Sequence, residues 1–170
     1  RKGKKFHPSL VLKIDKHKEG SPFQGREAEI LQRLQALPAV KGVPRLVEAG
    51  RLLPRKKASS FPDFNLEGHL WMLLDGIPDG VALDPDNLPQ TADLLAVFIR
   101  IGEILEAIHA KGIVHNDIKP KSILINGHGD VQLIDFELAS NFGDKIRAGT
   151  RGFMPPDEDR QPDSDVFSFL

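Results

Sequence analysis

Three residues stand out by type and spacing. Asp117 and Lys119 lie two positions apart in His115-Asn116-Asp117-Ile118-Lys119-Pro120-Lys121-Ser122, a short stretch stiffened by its proline. A carboxylate and an ammonium held on such a loop can face one reacting group. Asp135 follows eighteen residues after Asp117 (135 − 117), at the end of an expected strand and with no cation beside it in sequence. A carboxylate there suits a hard cation bound through oxygen. Two carboxylates, a lysine and a Mg²⁺-type site fit phosphoryl transfer, in which a protein mainly positions groups and neutralises charge.

The elements that must position these groups follow from hydrophobic period and turn chemistry. Residues 91–111 predict a helix, capped by Thr91, striped by Leu94, Phe98, Ile101, Leu105 and Ile108, and stopped at Lys111-Gly112. Ile123-Leu124-Ile125 and Val131-Gln132-Leu133-Ile134 flank Asn126-Gly127-His128-Gly129-Asp130, a hairpin signal. The catalytic candidates therefore sit between a long helix and a hairpin. Upstream, Ser9 to Asp15 alternates as a half-buried strand, with Leu10, Leu12 and Ile14 on one face and Val11 and Lys13 on the other. Glu27, Leu31 and Leu34 form a helical stripe over 26–37, and 43–53 and 69–74 read as two further strands. Glu27 on an apolar stripe calls for a cationic partner, because an unpaired buried carboxylate is costly. Glu29, on the wet face, is expected to pair with Arg33 at i+4. The expected division is a first lobe over 1–75, a connector over 76–90 and a second lobe over 91–170.

Composition narrows the function classes. The chain has 170 residues, 23 Lys+Arg against 24 Asp+Glu, a net charge of −1 and no cysteine. Near-balance of charge argues against a nucleic-acid partner. Thiolate metal sites, disulfides and cysteine nucleophiles are excluded. No apolar run reaches the roughly 18 residues of a membrane helix, so the expectation is a cytoplasmic protein without membrane contact. The other histidines, His7, His17, His69, His109 and His128, show no metal-ligand spacing, and His115 is expected to be a hydrogen-bonded core residue.

The sequence resembles the eukaryotic-type Ser/Thr protein kinase family through nearly its whole length. His115 to Ser122 looks like the catalytic loop, Asp135-Phe136-Glu137 like the metal-binding motif, Gly149 to Asp157 like the end of the activation segment, and Asp165-Val166-Phe167-Ser168-Phe169 like the start of the central buried helix. Val11-Leu12-Lys13 and Glu27 fall where the strand lysine and its helix glutamate belong. The resemblance implies an α+β, two-lobed kinase-like fold. It implies that Asp117 accepts the proton of a protein or peptide Ser/Thr hydroxyl while Lys119 steadies the phosphoryl group of ATP. Asp135 would hold Mg²⁺, Lys13 would contact the nucleotide phosphates, Glu27 would hold Lys13, Val11 and Leu124 would sandwich the adenine, and Thr150 would lie beside Asp117.

The pattern departs from the family at three positions. Ser122 replaces an Asn and is expected to ligate the second metal ion, and so to help bind the cofactor, by its hydroxyl. Asn116 replaces an Arg, which implies no control by phosphorylation of the activation segment. Glu137 replaces a Gly and restricts the backbone. No Gly-rich segment precedes Lys13, and the chain ends as an apolar element begins, so the first lobe is expected to be incomplete, the second truncated, and the chain part of a larger polypeptide. A pseudokinase or nucleotide-binding regulatory module is the alternative, with a small-molecule kinase of the aminoglycoside or choline type behind it. The motifs over 135–137 and 149–153 are also similar to the kinase domain of bacterial class III lanthipeptide synthetases.

Overall fold

The structure, a computed structural model, describes residues 9–15, 22–53, 67–84, 86, 94–144, 150 and 161–169. Thr91, most of the 54–68 loop and the 149–157 motif apart from Thr150 lie outside them. In chain order the elements are β1 (Ser9–Ile14), α1 (Pro22–Gln35), β2 (Arg45–Arg51), β3 (Leu70–Gly76), β4 (Val81–Ala82), α2 (Leu94–His109), β5 (Ile113–Val114), β6 (Ile123–Ile125), β7 (Val131–Leu133), β8 (Ser140–Asn141) and α3 (Pro162–Phe169). Single 3₁₀ turns cover Pro120–Ser122 and Phe136–Leu138. Among the described residues, no helix is long and apolar enough to cross a membrane.

The first half is an antiparallel sheet of order β1-β3-β2 with α1 packed on β2 and β3. Leu31 and Leu34 are fully buried and Glu27 is buried beside them, so the α1 stripe points where the sequence placed it. On the Lys13 face of β1, Lys13 and Val11 stand opposite Met72 and Leu74, which are buried, and Lys13 itself is partly covered. Leu10 and Leu12, on the opposite face, are 51% and 57% exposed. Among the described residues β1 is an edge strand, and its Leu10–Leu12 face is not the one α1 covers.

In the second half, α2 carries the core. Val97, Ile101, Ile104, Leu105 and Ile108 are buried, while Leu94 and Phe98, read as core from the sequence, are 42% and 44% exposed. The buried stripe is thus turned by about one residue at its N-terminal end, since Val97 rather than Phe98 meets the sheet side. Gly112 ends the helix in the left-handed region at φ 70°, with its N–H donating to the His109 carbonyl. β6 and β7 form the expected hairpin. Asn126 closes its turn by accepting from His128 N and Asp130 N. β4, inside the expected connector, pairs with β6 and so joins the connector to the second half.

A close approach locks the halves together. Leu133 N donates to the carbonyl of Gly42, and a Cβ at Gly42 would sit 2.5 Å from Ile104 Cδ1. One continuous apolar core runs from Ile30 and Met72 through Ile104 to Leu133 and Phe136.

Candidate active site

The loop after β5 is held from below by one carboxylate. Asp165 of α3 is fully buried and accepts from His115 N (2.8 Å), Asn116 N (2.8 Å) and His109 Nε2 (2.9 Å). Asn116 takes φ 67°, a left-handed conformation that Asn tolerates better than most residues. Its amide donates to the carbonyl of Leu138 and to Ser140 Oγ, which ties the loop to the chain beyond Asp135. The His115 ring is wholly buried, as expected. Nε2 donates to the Ile134 carbonyl, Nδ1 accepts from Asp117 N, and burial holds its pKa below the ordinary histidine value. It packs edge-to-face on Phe136 at 4.7 Å. His115 is thereby a neutral strut, with Asp117 on one side and the chain entering Asp135 on the other.

Asp117, so placed, is surrounded by donors. Lys119 Nζ donates to Oδ2, and Thr150 donates to Oδ1 through both its hydroxyl (2.6 Å) and its N–H (3.1 Å). Burial alone would raise this carboxyl, but the bonds from Lys119 and Thr150 hold it below the usual aspartate range. Lys119 Nζ also reaches Thr150 Oγ1 at 3.1 Å. An ionised oxygen beside an ammonium and a hydroxyl can orient and deprotonate an alcohol. Ser122, cast by the resemblance as a metal and cofactor ligand, spends its hydroxyl within the loop. It is 1% exposed, accepts from Lys119 N and lies within bonding distance of the Asp117 and Lys119 carbonyls, so it closes the 3₁₀ turn.

Above this loop, β1, α1 and the 136–138 turn bring a second set together. Lys13 Nζ lies 2.8 Å from Glu27 Oε2, 2.8 Å from Asp135 Oδ1 and 3.1 Å from Glu137 Oε1. The other Glu27 oxygen accepts from Phe136 N, so that one buried carboxylate fixes both the lysine and the turn. Burial pushes the Glu27 carboxyl up and the Lys13 ammonium opposes it. For Lys13, burial acts downwards, but Glu27 and Asp135 outweigh it and keep the ammonium charged. Asp135 is itself left-handed at φ 70°, a backbone strain typical of functional positions. Among the described residues, oxygens of Glu27, Asp135 and Glu137 lie within 4.8 Å of one another. Such hard donors suit Mg²⁺, so the residues fit the metal that the pattern implies.

One further expectation turns out differently. Arg33 binds Asn141 Oδ1 and the Lys111 carbonyl instead of Glu29, because α1 packs beside the chain that follows Asp135. Val11 lies on the Lys13 face but is 53% exposed, and Leu124 is half-buried between Ala82 and Gln132 on β6's neighbours. The contributions of Glu137 and Asp165 were not read from the sequence. A carboxylate within an apolar helical segment, as at 165, was the available signal.

The family model for the protein kinase domain matches residues 11–169. The chain belongs to the protein kinase family. Its fold matches that of the Cydia pomonella granulovirus kinase PK-1 with a TM-score of 0.69 at 22% identity, covering 99% of this chain and 59% of that one. A probable serine/threonine-protein kinase of Dictyostelium discoideum is 31% identical over 123 residues, which is 60% of this chain and 10% of that protein. A serine/threonine-protein kinase-like protein of Arabidopsis thaliana is 35% identical over 93 residues, 49% and 27% respectively. The alpha subunit of a CTD kinase from Schizosaccharomyces pombe is 27% identical over 155 residues, 86% and 23%. The chain thus spans about a quarter or less of the length of these curated relatives. In this kinase domain the expected α+β fold is present, with Lys13 paired to Glu27 and Asp117 bonded to Lys119 and Thr150.

Proposed function

We propose that this kinase domain transfers the γ-phosphoryl group of ATP to a Ser or Thr hydroxyl of a protein or peptide in the cytoplasm. The observation that carries the reading is the Asp117–Lys119–Thr150 constellation, in which an ionised carboxylate has an ammonium and a hydroxyl on its two oxygens. Asp117 orients the acceptor hydroxyl and takes its proton. Lys119 then meets the charge of the transferring group. Lys13, positioned by Glu27, would face the nucleotide phosphates, and Val11 and Leu124 would cover the adenine. Asp135, with Glu137 near it, would hold Mg²⁺, which when bound neutralises phosphate charge.

A second reading, a nucleotide-binding module without turnover, is favoured by Ser122, whose hydroxyl is committed to the backbone. The two are separated with the full polypeptide and Mg²⁺-ATP, measuring nucleotide binding and phosphate transfer to Ser/Thr peptides beside Asp135→Asn. Transfer by the parent that is lost in the variant supports the enzyme. Binding by the parent without transfer to any peptide supports the module, and tyrosine-only transfer overturns the acceptor class.

A further inference from the structure

Lys13 is saturated. An ammonium has three N–H donors, and three carboxylates stand within ion-pair distance of this one, at 2.8, 2.8 and 3.1 Å. Glu27 belongs to the frame, since it is buried and also bound to Phe136 N. Asp135 is the expected metal carboxylate. Glu137 is the addition. It sits on the 136–138 turn, whose start is pinned by that same Phe136–Glu27 bond, and its half-exposed side chain closes the third side of the ammonium. The cluster carries three negative charges against one positive, a net −2, so it repels a polyphosphate as it stands.

We propose that Glu137 is a latch on Lys13 that keeps the ammonium from nucleotide phosphates until a divalent cation draws Glu137 and Asp135 away. This rests on the nucleotide site proposed above. The latch makes nucleotide and metal binding mutually dependent, and by linkage each raises the affinity for the other by the same factor. The Lys13–Glu27 pair stays closed throughout, because Glu27 is held from two sides. Only the two partly exposed carboxylates move.

The test compares the full polypeptide with Glu137→Gln, which keeps the size and removes the charge. ADP affinity is measured by calorimetry in EDTA and in saturating Mg²⁺. In EDTA the variant is expected to bind ADP about fivefold more tightly, the scale of one half-exposed ion pair, and the enhancement by Mg²⁺ is expected to shrink by a similar factor. Unchanged or weaker binding in EDTA, in a parent that binds Mg²⁺-ADP, overturns the latch and leaves the nucleotide site standing. A readout without nucleotide runs beside it: acylation of Lys13 by an amine-reactive ester, followed by mass spectrometry, is expected to be several-fold faster in Glu137→Gln, and equal rates overturn the latch. Failure of both proteins to bind ADP under every condition takes down the nucleotide reading and the gating role with it, whatever the acylation rates.

Discussion

The loop that carries Asp117 is fixed largely through main-chain groups, whereas Lys13 is fixed almost wholly by other side chains. Asp165 accepts two backbone N–H groups, Ser122 closes its turn on backbone atoms, and the His115 imidazole spans from Asp117 N to the Ile134 carbonyl. A geometry tied to the chain path cannot relax without moving the chain. Among the described residues the Lys13 cluster holds one backbone bond, from Phe136 N to Glu27, and its other contacts are ion pairs among groups of which Lys13, Asp135 and Glu137 are 27%, 37% and 46% exposed. Such contacts rearrange at little cost. The lower deck is therefore suited to holding an acid–base group in one place, and the upper deck to exchanging partners as ligands arrive.

The sharpest way to break this contrast is at the two anchors. Asp117→Asn is expected to lower phosphoryl transfer by about 10²–10⁴-fold, the usual worth of a positioned base, with a much smaller loss of folding stability from the weakened bonds to Lys119 and Thr150; a stability loss as large as the activity loss would make Asp117 structural. Asp165→Ala orphans two buried main-chain donors at about 1–3 kcal/mol each, so urea unfolding should show a loss of about 2–6 kcal/mol. Lys13→Ala leaves Glu27 without its cation and is expected to cost about 1–3 kcal/mol, less than the change at Asp165. In that variant Glu27 has a raised folded pKa, so stability should be highest at low pH and fall as pH rises through the raised value.

Much of this contrast was legible beforehand, and the reasons are physical. A carboxylate on the Leu31–Leu34 stripe had to meet a cation, and it meets Lys13. The catalytic loop and hairpin were set by short-range turn chemistry, which sequence spacing records. What sequence concealed was long-range facing. Lys13, not Leu12, looks towards the core because β3 presents Met72 and Leu74 there. Val97 replaces Phe98 in the buried stripe because two apolar stripes compete on an almost wholly apolar helix start, and only the packing partners choose between them. Glu137 looked like a backbone restriction; that its carboxylate reaches a lysine 124 positions earlier (137 − 13) depends on how α1 seats the 136–138 turn.

Smaller effects sharpen the same division. Asp117 has a depressed folded pKa, so its share of stability is present above the ordinary aspartate value and is lost as pH falls through the depressed one. Lys119→Ala should move that loss to higher pH, read by acid titration of the folded signal. Glu29→Ala, on the exposed face of α1 and without Arg33 as a partner, should change stability by less than about 0.5 kcal/mol, and a larger change would show that the surface of α1 contributes to the upper deck.

The anchoring of His115 and Asn116 by a residue about fifty positions downstream has a consequence for the order of assembly. During synthesis the helix, hairpin and sheet can all form from neighbouring sequence, but the loop bearing Asp117 has no acceptor for its two amides until α3 has left the ribosome. Chemical competence thus arrives after these elements, and a nascent chain stalled short of Asp165 holds the helix, hairpin and sheet around a reaction centre that has yet to take shape.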